Sequence, residues 1–204
     1  MMRNILHTLV QNAPPLSGIP PNNNGILNGM AVLTPAYALY NGGFFKRAGS
    51  AIQNVVTGKL NNPGIHILIV SSFYGLIQIN EGIKNYEMDL HDNGLPGVNT
   101  IGDYWHSQNI HNELANYVNN NSITNIWSLL SQPCHNLFKP YWNAHPPNIW
   151  CCQVFQDRAG RATAYRRGEW LDYLLRHNQG HLFNTYPLPS PQQVGNLVYD
   201  YRSC

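Results

Sequence analysis

The stretch SSFYG, residues 71–75, places hydroxyl, aromatic and glycine residues directly after a short apolar run, residues 65–70. The run is apolar except at His66 and rich in β-branched side chains, which predicts a buried strand. Ligands of α/β folds collect at the carboxyl ends of strands, where hydroxyl groups can read a base edge and rings can stack. The candidate binding residues here are Ser71, Ser72, Phe73, Tyr74 and Gly75. The alternative is a core turn in which the two rings only pack.

Acidic residues follow the same stretch, just after a further ring, Tyr86. A carboxylate can orient water or stabilise an oxocarbenium-like transition state when a glycosidic bond is cleaved. We therefore take Glu87 and Asp89, together with Ser71 and Ser72, as candidate catalytic residues. The alternative for Asp89 is capping of the next turn. The other carboxylates of this region are Glu81, Asp92 and Asp103.

Cationic residues occur in two short groups. The first is Lys46 with Arg47, and the second consists of Arg158, Arg161, Arg166 and Arg167. Gathered on one face, these side chains could contact phosphate groups. The alternative for each is an ordinary solvated surface charge.

Metal and cofactor motifs are absent from the sequence. The histidines His106 and His111 are five residues apart, and the four cysteines form no CxxC pair, so neither set has the spacing of a metal site. The chain also lacks phosphate-binding and dinucleotide-binding glycine motifs. We predict no metal and no cofactor, and we expect the cysteines to be buried thiols in a reducing compartment.

The local patterns predict alternating helices and strands. Thr34 is a candidate N-cap with Pro35 at the first helical position, and Ser122 is a candidate cap for a helix through Ile126 and Trp127. Further helices are expected over residues 44–56, 107–118 and 167–177. A second strand is expected at IWCCQVF, followed by a hairpin at DRAG into RATAY, and the tail reads as extended.

This order of elements predicts a mixed α/β (α+β) fold, in which a single compact domain has a central sheet flanked by helices. The domain is expected over residues 31–204, after an irregular Pro- and Asn-rich arm over residues 1–30. The chain has 204 residues, 11% charged residues and a net charge of +2, which permits a polyanionic partner without requiring one. No stretch approaches a membrane span or a signal peptide, so we expect a cytoplasmic protein.

Several segments, taken in their order along the chain, resemble the YaaA family of peroxide stress proteins. The central match is HILIVSSFYGLIQINEGIKNYEMDL, and the others are PAYALYNGGFFKRA, IGDYWHSQNIHNELANYV, VFQDRAGRATAYRRGEWLDYLL and LFNTYPLPSPQQVGNLVYDYR. The resemblance spans residues 30–202. It implies an α/β fold around a positive cleft, DNA binding, a helix-hairpin-helix-like element and a link to oxidative damage, in an architecture likened to DNA glycosylases.

The resemblance also brings further residues into the predicted nucleic-acid site. The segment GLPGV, from Gly94 through Pro96 and Gly97, is similar to the hairpin of helix-hairpin-helix modules, in which backbone amides face a phosphate. The alternative is an ordinary Pro-Gly type II turn. The remaining predicted DNA or base contacts are Tyr40, Lys46, Phe73, Tyr74, Gly75, Tyr86, Arg166 and Arg167.

Three functions follow as hypotheses. The first is a cytoplasmic, monomeric DNA-binding protein linked to DNA repair and oxidative stress, with glycosylase-like base excision as its candidate activity. There the base is extruded between aromatic side chains, and Asp89 activates water. The second is an N-glycosidase or transferase acting on free nucleosides or nucleotides. The third is a nucleic-acid-binding protein without catalysis.

Overall fold

The computed structural model describes residues 33–60, 64–86, 88–93, 95, 97–144, 149–155, 163–177, 192–194 and 197–203. The helices in these ranges are α1 Ala36–Leu39, α2 Gly43–Val56, α3 Ile101–Ser107, α4 Ile110–Asn120, α5 Gln132–Asn136, α6 Lys139–Asn143 and α7 Thr163–Arg176. The strands are β1 Thr34–Pro35, β2 Leu68–Ser71, β3 Gly75–Gln78, β4 Gly82–Ile83, β5 Asn125–Ser128, β6 Trp150–Phe155, β7 Gln192–Val194 and β8 Leu197–Ser203. The prediction of a mixed α/β fold is confirmed.

The chain divides into two compact units, each assembled from separate segments. The first contains β1–β4 and α3–α6, and the second contains α2, β5–β8 and α7. The predicted single domain over residues 31–204, with an arm before it, stays a prediction. Within the ranges given above, no helix has the length and apolar character needed to cross a membrane.

The first unit is built around two small antiparallel sheets. Strands β2 and β3 form a hairpin whose last pair is Ser71 with Gly75, and β1 pairs with β4. Helices α3 and α4 follow, and α4 packs against both β3 and α6. The largest buried side chains of this unit are Phe73, Ile77, Ile83, Ile101, Tyr104, Trp105, Ile110 and Phe138.

The second unit combines a four-stranded sheet with a helix pair. The strand order is β5-β6-β8-β7, in which β5 and β6 are parallel and the other pairs are antiparallel. Helix α2 buries Ala48, Ala51 and Ile52, and it packs along α7, which buries Trp170 and Leu174 on its inner face. The expected helix over residues 44–56 is confirmed, and the extended tail is confirmed where the structure describes it, in β7 and β8.

Three local predictions were wrong, and in two of them non-local strand pairing overrides local preference. Thr34 and Pro35 form β1 rather than a helix start, since they pair with Ile83 and Gly82. The amide of Ala36 then donates to the carbonyl of Glu81 at 2.9 Å, and the helix begins only there. Two other elements also differ from prediction. The predicted helix after Ser122 is strand β5, and residues 163–165 belong to α7 rather than to a hairpin with β6.

Strand β2 begins at Leu68, and its residues alternate between half-buried and buried rather than being buried on both faces.

The cysteines also depart from expectation. Cys134 is half-buried and outside any disulfide, whereas Cys151 is disulfide-bonded. Cys151 lies on β6, and the spacing of the cysteines along the chain gives no sign of this bond. The cytoplasmic location stays a prediction.

Tyr141 in α6 is only 7% exposed, and its hydroxyl has no hydrogen-bond partner in the described structure. A buried unpaired hydroxyl costs about 1–3 kcal/mol. We expect Tyr141→Phe to raise the free energy of unfolding by about 1 kcal/mol in urea titrations. Tyr74→Phe is the matched control, because the Tyr74 hydroxyl accepts the Lys84 amide at 3.1 Å and its removal should lower stability. A loss of stability in both variants would contradict this prediction.

Burial also raises the pKa of the Tyr141 phenol above its ordinary value of 10.0. The folded state therefore favours the neutral phenol, and the stability that this contributes is complete below the unfolded pKa. It is lost as the pH rises through the folded pKa, because the unfolded chain ionises first. Unfolding titrations from pH 9 upward should show a smaller alkaline loss for Tyr141→Phe than for the unchanged protein.

Candidate functional site

The SSFYG segment is the turn of the β2–β3 hairpin. The Ser71 hydroxyl accepts the amide of Tyr74 at 2.9 Å, and Gly75 follows with a φ of +74°. The indole Nε1 of Trp105 donates to the carbonyl of Ser72 at 2.7 Å. The Trp105 ring also lies against Gly75, because a Cβ at this position would be 2.9 Å from the ring. Helix α3, which carries Trp105, therefore contacts the turn through both a hydrogen bond and ring packing.

A second segment contributes Tyr86 and Met88 to the contacts of this turn; Glu87 between them lies outside the described residues. The Ser71 and Tyr86 hydroxyls are hydrogen-bonded at 2.6 Å. The Ser72 hydroxyl donates to the carbonyl of Met88 at 2.5 Å. The predicted catalytic hydroxyls of Ser71 and Ser72 thus join two parts of the chain.

The three rings of this region form one cluster. The centroid of Phe73 lies 5.0 Å from that of Tyr74 and 5.6 Å from that of Tyr86, and Tyr74 meets Tyr86 edge-on at 5.6 Å. Phe73 is fully buried and Tyr74 is 9% exposed, whereas Tyr86 is half-buried. Such contacts are those of core aromatic packing. Of the three rings, Tyr86 is the one with the larger accessible part.

The carboxylate of Asp89 shapes a turn. Its Oδ1 accepts the amide of His91 at 2.9 Å, while the Asp89 amide donates to the carboxylate of Asp92 at 2.7 Å. Asp89 itself is exposed. This arrangement matches the capping role considered for Asp89, since Asp side chains commonly bond to the backbone two residues later.

Asp103 has an equally local role. Thr100 is the N-cap of α3, its hydroxyl accepts the Asp103 amide at 3.0 Å, and the Asp103 carboxylate accepts the Thr100 amide at 3.1 Å. This reciprocal pair is a capping box. The Thr-x-x-Asp spacing before an apolar position could have revealed it in the sequence.

The GLPGV segment has the backbone of a tight turn. The amide of Val98 donates to the carbonyl of Leu95 at 3.4 Å, and Gly97 has a φ of +81°, as the third residue of a type II turn requires. Gly94 and Pro96 lie outside the described residues. Helix α3 follows, but residues 84–86 and 88–93, which the structure describes before the turn, contain no helix. The helix-hairpin-helix element is not confirmed.

The predicted basic residues that the structure describes lie on α2 and α7, which form a second candidate site in the second unit. The guanidinium of Arg47 lies over the ring of Tyr165, 4.5 Å from its centroid, and that of Arg166 lies 6.0 Å from the same centroid. Arg166 also binds Glu169 at 2.8 Å, and Arg47 approaches the other oxygen of Glu169 at 3.7 Å. We call Arg47, Tyr165, Arg166 and Glu169 the arginine cluster.

The ion pairs of the arginine cluster are partly solvated. The side chains of Arg47, Arg166 and Glu169 are 45%, 36% and 32% exposed. Pairs of this kind contribute only about 0–1 kcal/mol each. Lys46 precedes Arg47 on α2 and is exposed. The two arginines of the cluster are therefore partly exposed, and their ion pairs with Glu169 are weak.

The other predicted contacts differ in accessibility. Arg167 is only 8% exposed, whereas its neighbour Arg166 remains partly open to solvent. Tyr40 stacks on Phe45 near the start of α2, with centroids 5.3 Å apart. Arg158 and Arg161 lie outside the described residues. Within the described part of the chain, no group of three or more His, Cys, Asp or Glu side chains could hold a metal ion.

Sequence reasoning missed three residues on which these sites depend, namely Trp105, Tyr165 and Glu169. Trp105 anchors the hairpin turn from 33 positions away in sequence. Tyr165 and Glu169 meet Arg47 only because α2 and α7 pack together. Spacing along α7 does predict the pair of Arg166 with Glu169, since residues three apart face each other on a helix.

The fold and these sites define a mixed α/β protein with an aromatic hairpin turn in one unit and an arginine-bearing helix pair in the other. A family model described as peroxide stress protein YaaA matches residues 18–181. The chain therefore belongs to the peroxide stress protein YaaA family, and its function is related to peroxide stress. Searches of curated proteins and of solved structures gave no match.

Proposed function

We propose that this chain is a DNA-binding protein of the peroxide stress response and that it contacts DNA phosphates through Lys46 and the arginine cluster. The observation that carries the proposal is the convergence of Arg47 and Arg166 on Tyr165, with exposed Lys46 beside them. Helix α2 contains two adjacent cations and no Asp or Glu. Its charged surface is therefore purely cationic.

The contact with Tyr165 makes Arg47 well suited to phosphate binding. A guanidinium that stacks on a ring loses less side-chain freedom when it binds, and its planar fork matches the geometry of phosphate oxygens. Phosphate contacts of this kind provide affinity and register without reading sequence. The proposal therefore predicts binding that depends strongly on salt and weakly on base sequence.

The polar groups of the aromatic hairpin turn serve its local structure, which favours a binding protein over a base-excising one. The Ser71 and Ser72 hydroxyls are engaged with Tyr86 and Met88, and the Asp89 carboxylate holds the amide of His91. A water-activating carboxylate would need its oxygens directed at a substrate. We therefore assign the turn a supporting role, with Tyr86 as its accessible ring, and we favour a DNA-binding protein without catalysis.

The central test is the salt dependence of DNA binding after charge removal. We expect the double variant Lys46→Gln, Arg47→Gln to bind a short duplex on the order of tenfold more weakly at low salt. The slope of log affinity against log salt concentration should become shallower by roughly one to two. Binding with fewer phosphate contacts releases fewer counterions from the DNA. Fluorescence anisotropy titrations at several salt concentrations would measure both quantities.

Lys59→Gln is the matched control. Lys59 is also exposed, and it lies just beyond the opposite end of α2 from Lys46. Its removal should leave the slope nearly unchanged. If the control lost as much affinity per charge removed as the double variant, only net charge would matter, and the proposed contact surface would be contradicted. Tight binding of free nucleotides without DNA binding would favour the nucleoside hypothesis instead.

A parallel incubation separates binding from base excision. The protein is mixed in excess with duplex and single-stranded DNA that carries oxidised, alkylated or unmodified bases, and released base is measured by mass spectrometry. We expect none. Base release that disappears in Asp89→Asn would establish a glycosylase and overturn the assignment of Asp89 to turn capping alone.

A further inference from the structure

The arginine cluster contains its own anion. The two carboxylate oxygens of Glu169 approach two guanidinium groups from different helices, Arg166 on α7 at 2.8 Å and Arg47 on α2 at 3.7 Å. A carboxylate that bridges two guanidinium groups occupies the position that a phosphate oxygen pair would take. The geometry thus resembles a phosphate site that is already filled by a side chain.

We infer that Arg47 and Arg166 form a site for one DNA phosphate group and that Glu169 competes with this phosphate. The inference rests on the proposed DNA binding and specifies how the same surface is regulated. Because all three side chains are between 32% and 45% exposed, water screens both ion pairs and a phosphate can reach the guanidinium groups. Glu169 then sets the affinity of the surface by occupying it when DNA is absent.

Position and ion-pair partner distinguish Glu169 from the other carboxylate of α7, Asp172. Asp172 lies three residues later and pairs at 2.8 Å with Arg176, towards the end of the helix. Arg176 also bonds to Ser50 of α2, so this second ion pair has its own partners away from Tyr165. Asp172→Asn removes the same charge from the same helix and is therefore a matched control.

The experiment compares Glu169→Gln with Asp172→Asn in anisotropy titrations against one short duplex. We expect Glu169→Gln to bind about three- to tenfold more tightly at low salt and to steepen the salt slope by up to about one. Asp172→Asn should change the affinity less than twofold. Thermal unfolding of both variants checks that α7 stays packed.

A double-variant cycle tests whether Glu169→Gln changes DNA affinity through the contact with Arg47. In an Arg47→Gln background, Glu169→Gln should lose much of its gain, because one of the two competing contacts no longer exists. Equal effects of Glu169→Gln and Asp172→Asn, or weaker binding by Glu169→Gln, would overturn this inference while the proposed function stands. Absence of DNA binding by the unchanged protein and by all variants would overturn both.

Discussion

Gly168→Ala should destabilise the second unit by more than about 3 kcal/mol, above the usual range for overpacking. A Cβ at this position would lie 2.3 Å from the carbonyl oxygen of Phe44 and 3.1 Å from its carbonyl carbon and Cα. These are backbone atoms of α2, so no side-chain rotation relieves the overlap. The two helices must separate, and the buried contacts of Trp170 and Ile52 weaken with them.

The effect of Gly168→Ala should extend to DNA binding. Arg47 and Tyr165 meet across the same helix pair, so separation of α2 from α7 disrupts the arginine cluster. Urea unfolding followed by circular dichroism would measure the stability loss, and anisotropy titration of the folded fraction would measure binding.

Gly49→Ala is the control for Gly168→Ala. Gly49 lies within α2, and a Cβ there meets no atom within 4 Å. Because alanine is the better helix former, this change should stabilise the protein by about 0.5–1 kcal/mol. If Gly168→Ala were as well tolerated as Gly49→Ala, the result would contradict the close approach of α2 to α7 at Gly168.

Gly75→Ala should cost about 2–5 kcal/mol in the first unit, for two separate reasons. A left-handed φ of +74° costs an L-residue about 1–2 kcal/mol. The new Cβ would also lie 2.9 Å from two carbons of the Trp105 ring, and overpacking of this kind costs about 1–3 kcal/mol. Trp105 is fully buried and bonded to the Ser72 carbonyl, so its ring has little freedom to move.

Gly97→Ala isolates the first of these two costs. Gly97 has a φ of +81°, but a Cβ there meets no atom within 4 Å. Urea unfolding of the two variants should therefore show a smaller loss for Gly97→Ala, by about 1–3 kcal/mol. Equal losses would mean that the Trp105 ring does not constrain the hairpin turn. Tryptophan fluorescence would show directly whether the environment of the indoles has changed.

Local patterns in the sequence predicted the helices and strands that are specified by their own residues. Helix α2 has an apolar stripe through Ala48 and Ile52, and α7 has one through Trp170 and Leu174. Strand β6 was predicted from its short apolar run. Periodicity and composition act over a few neighbouring residues, so a single sequence is enough to read them.

Strand β5 shows where local patterns fail. The stretch through Ile126 and Trp127 was predicted to be helical, but these residues pair in parallel with Cys151 and Cys152 of β6. The Trp127 ring also lies 5.5 Å from that of Trp170 in α7. Both partners are more than 20 residues away, and their pairing outweighs the weak local preference for helix.

The candidate sites divide in the same way. The sequence alone showed the types of residue at SSFYG and at Lys46 to Arg47. It also showed the order of the family segments and the membership in the YaaA family. Only the tertiary structure decided that Trp105 anchors the hairpin turn, that Asp89 caps a turn and that Glu169 bridges two arginines. Trp105 and the Arg47–Glu169 contact depend on distances between residues far apart in the chain. The sequence left two interpretations of Asp89 open, catalysis and capping of a turn. Which hydrogen bond its carboxylate makes depends on backbone geometry that a sequence does not specify.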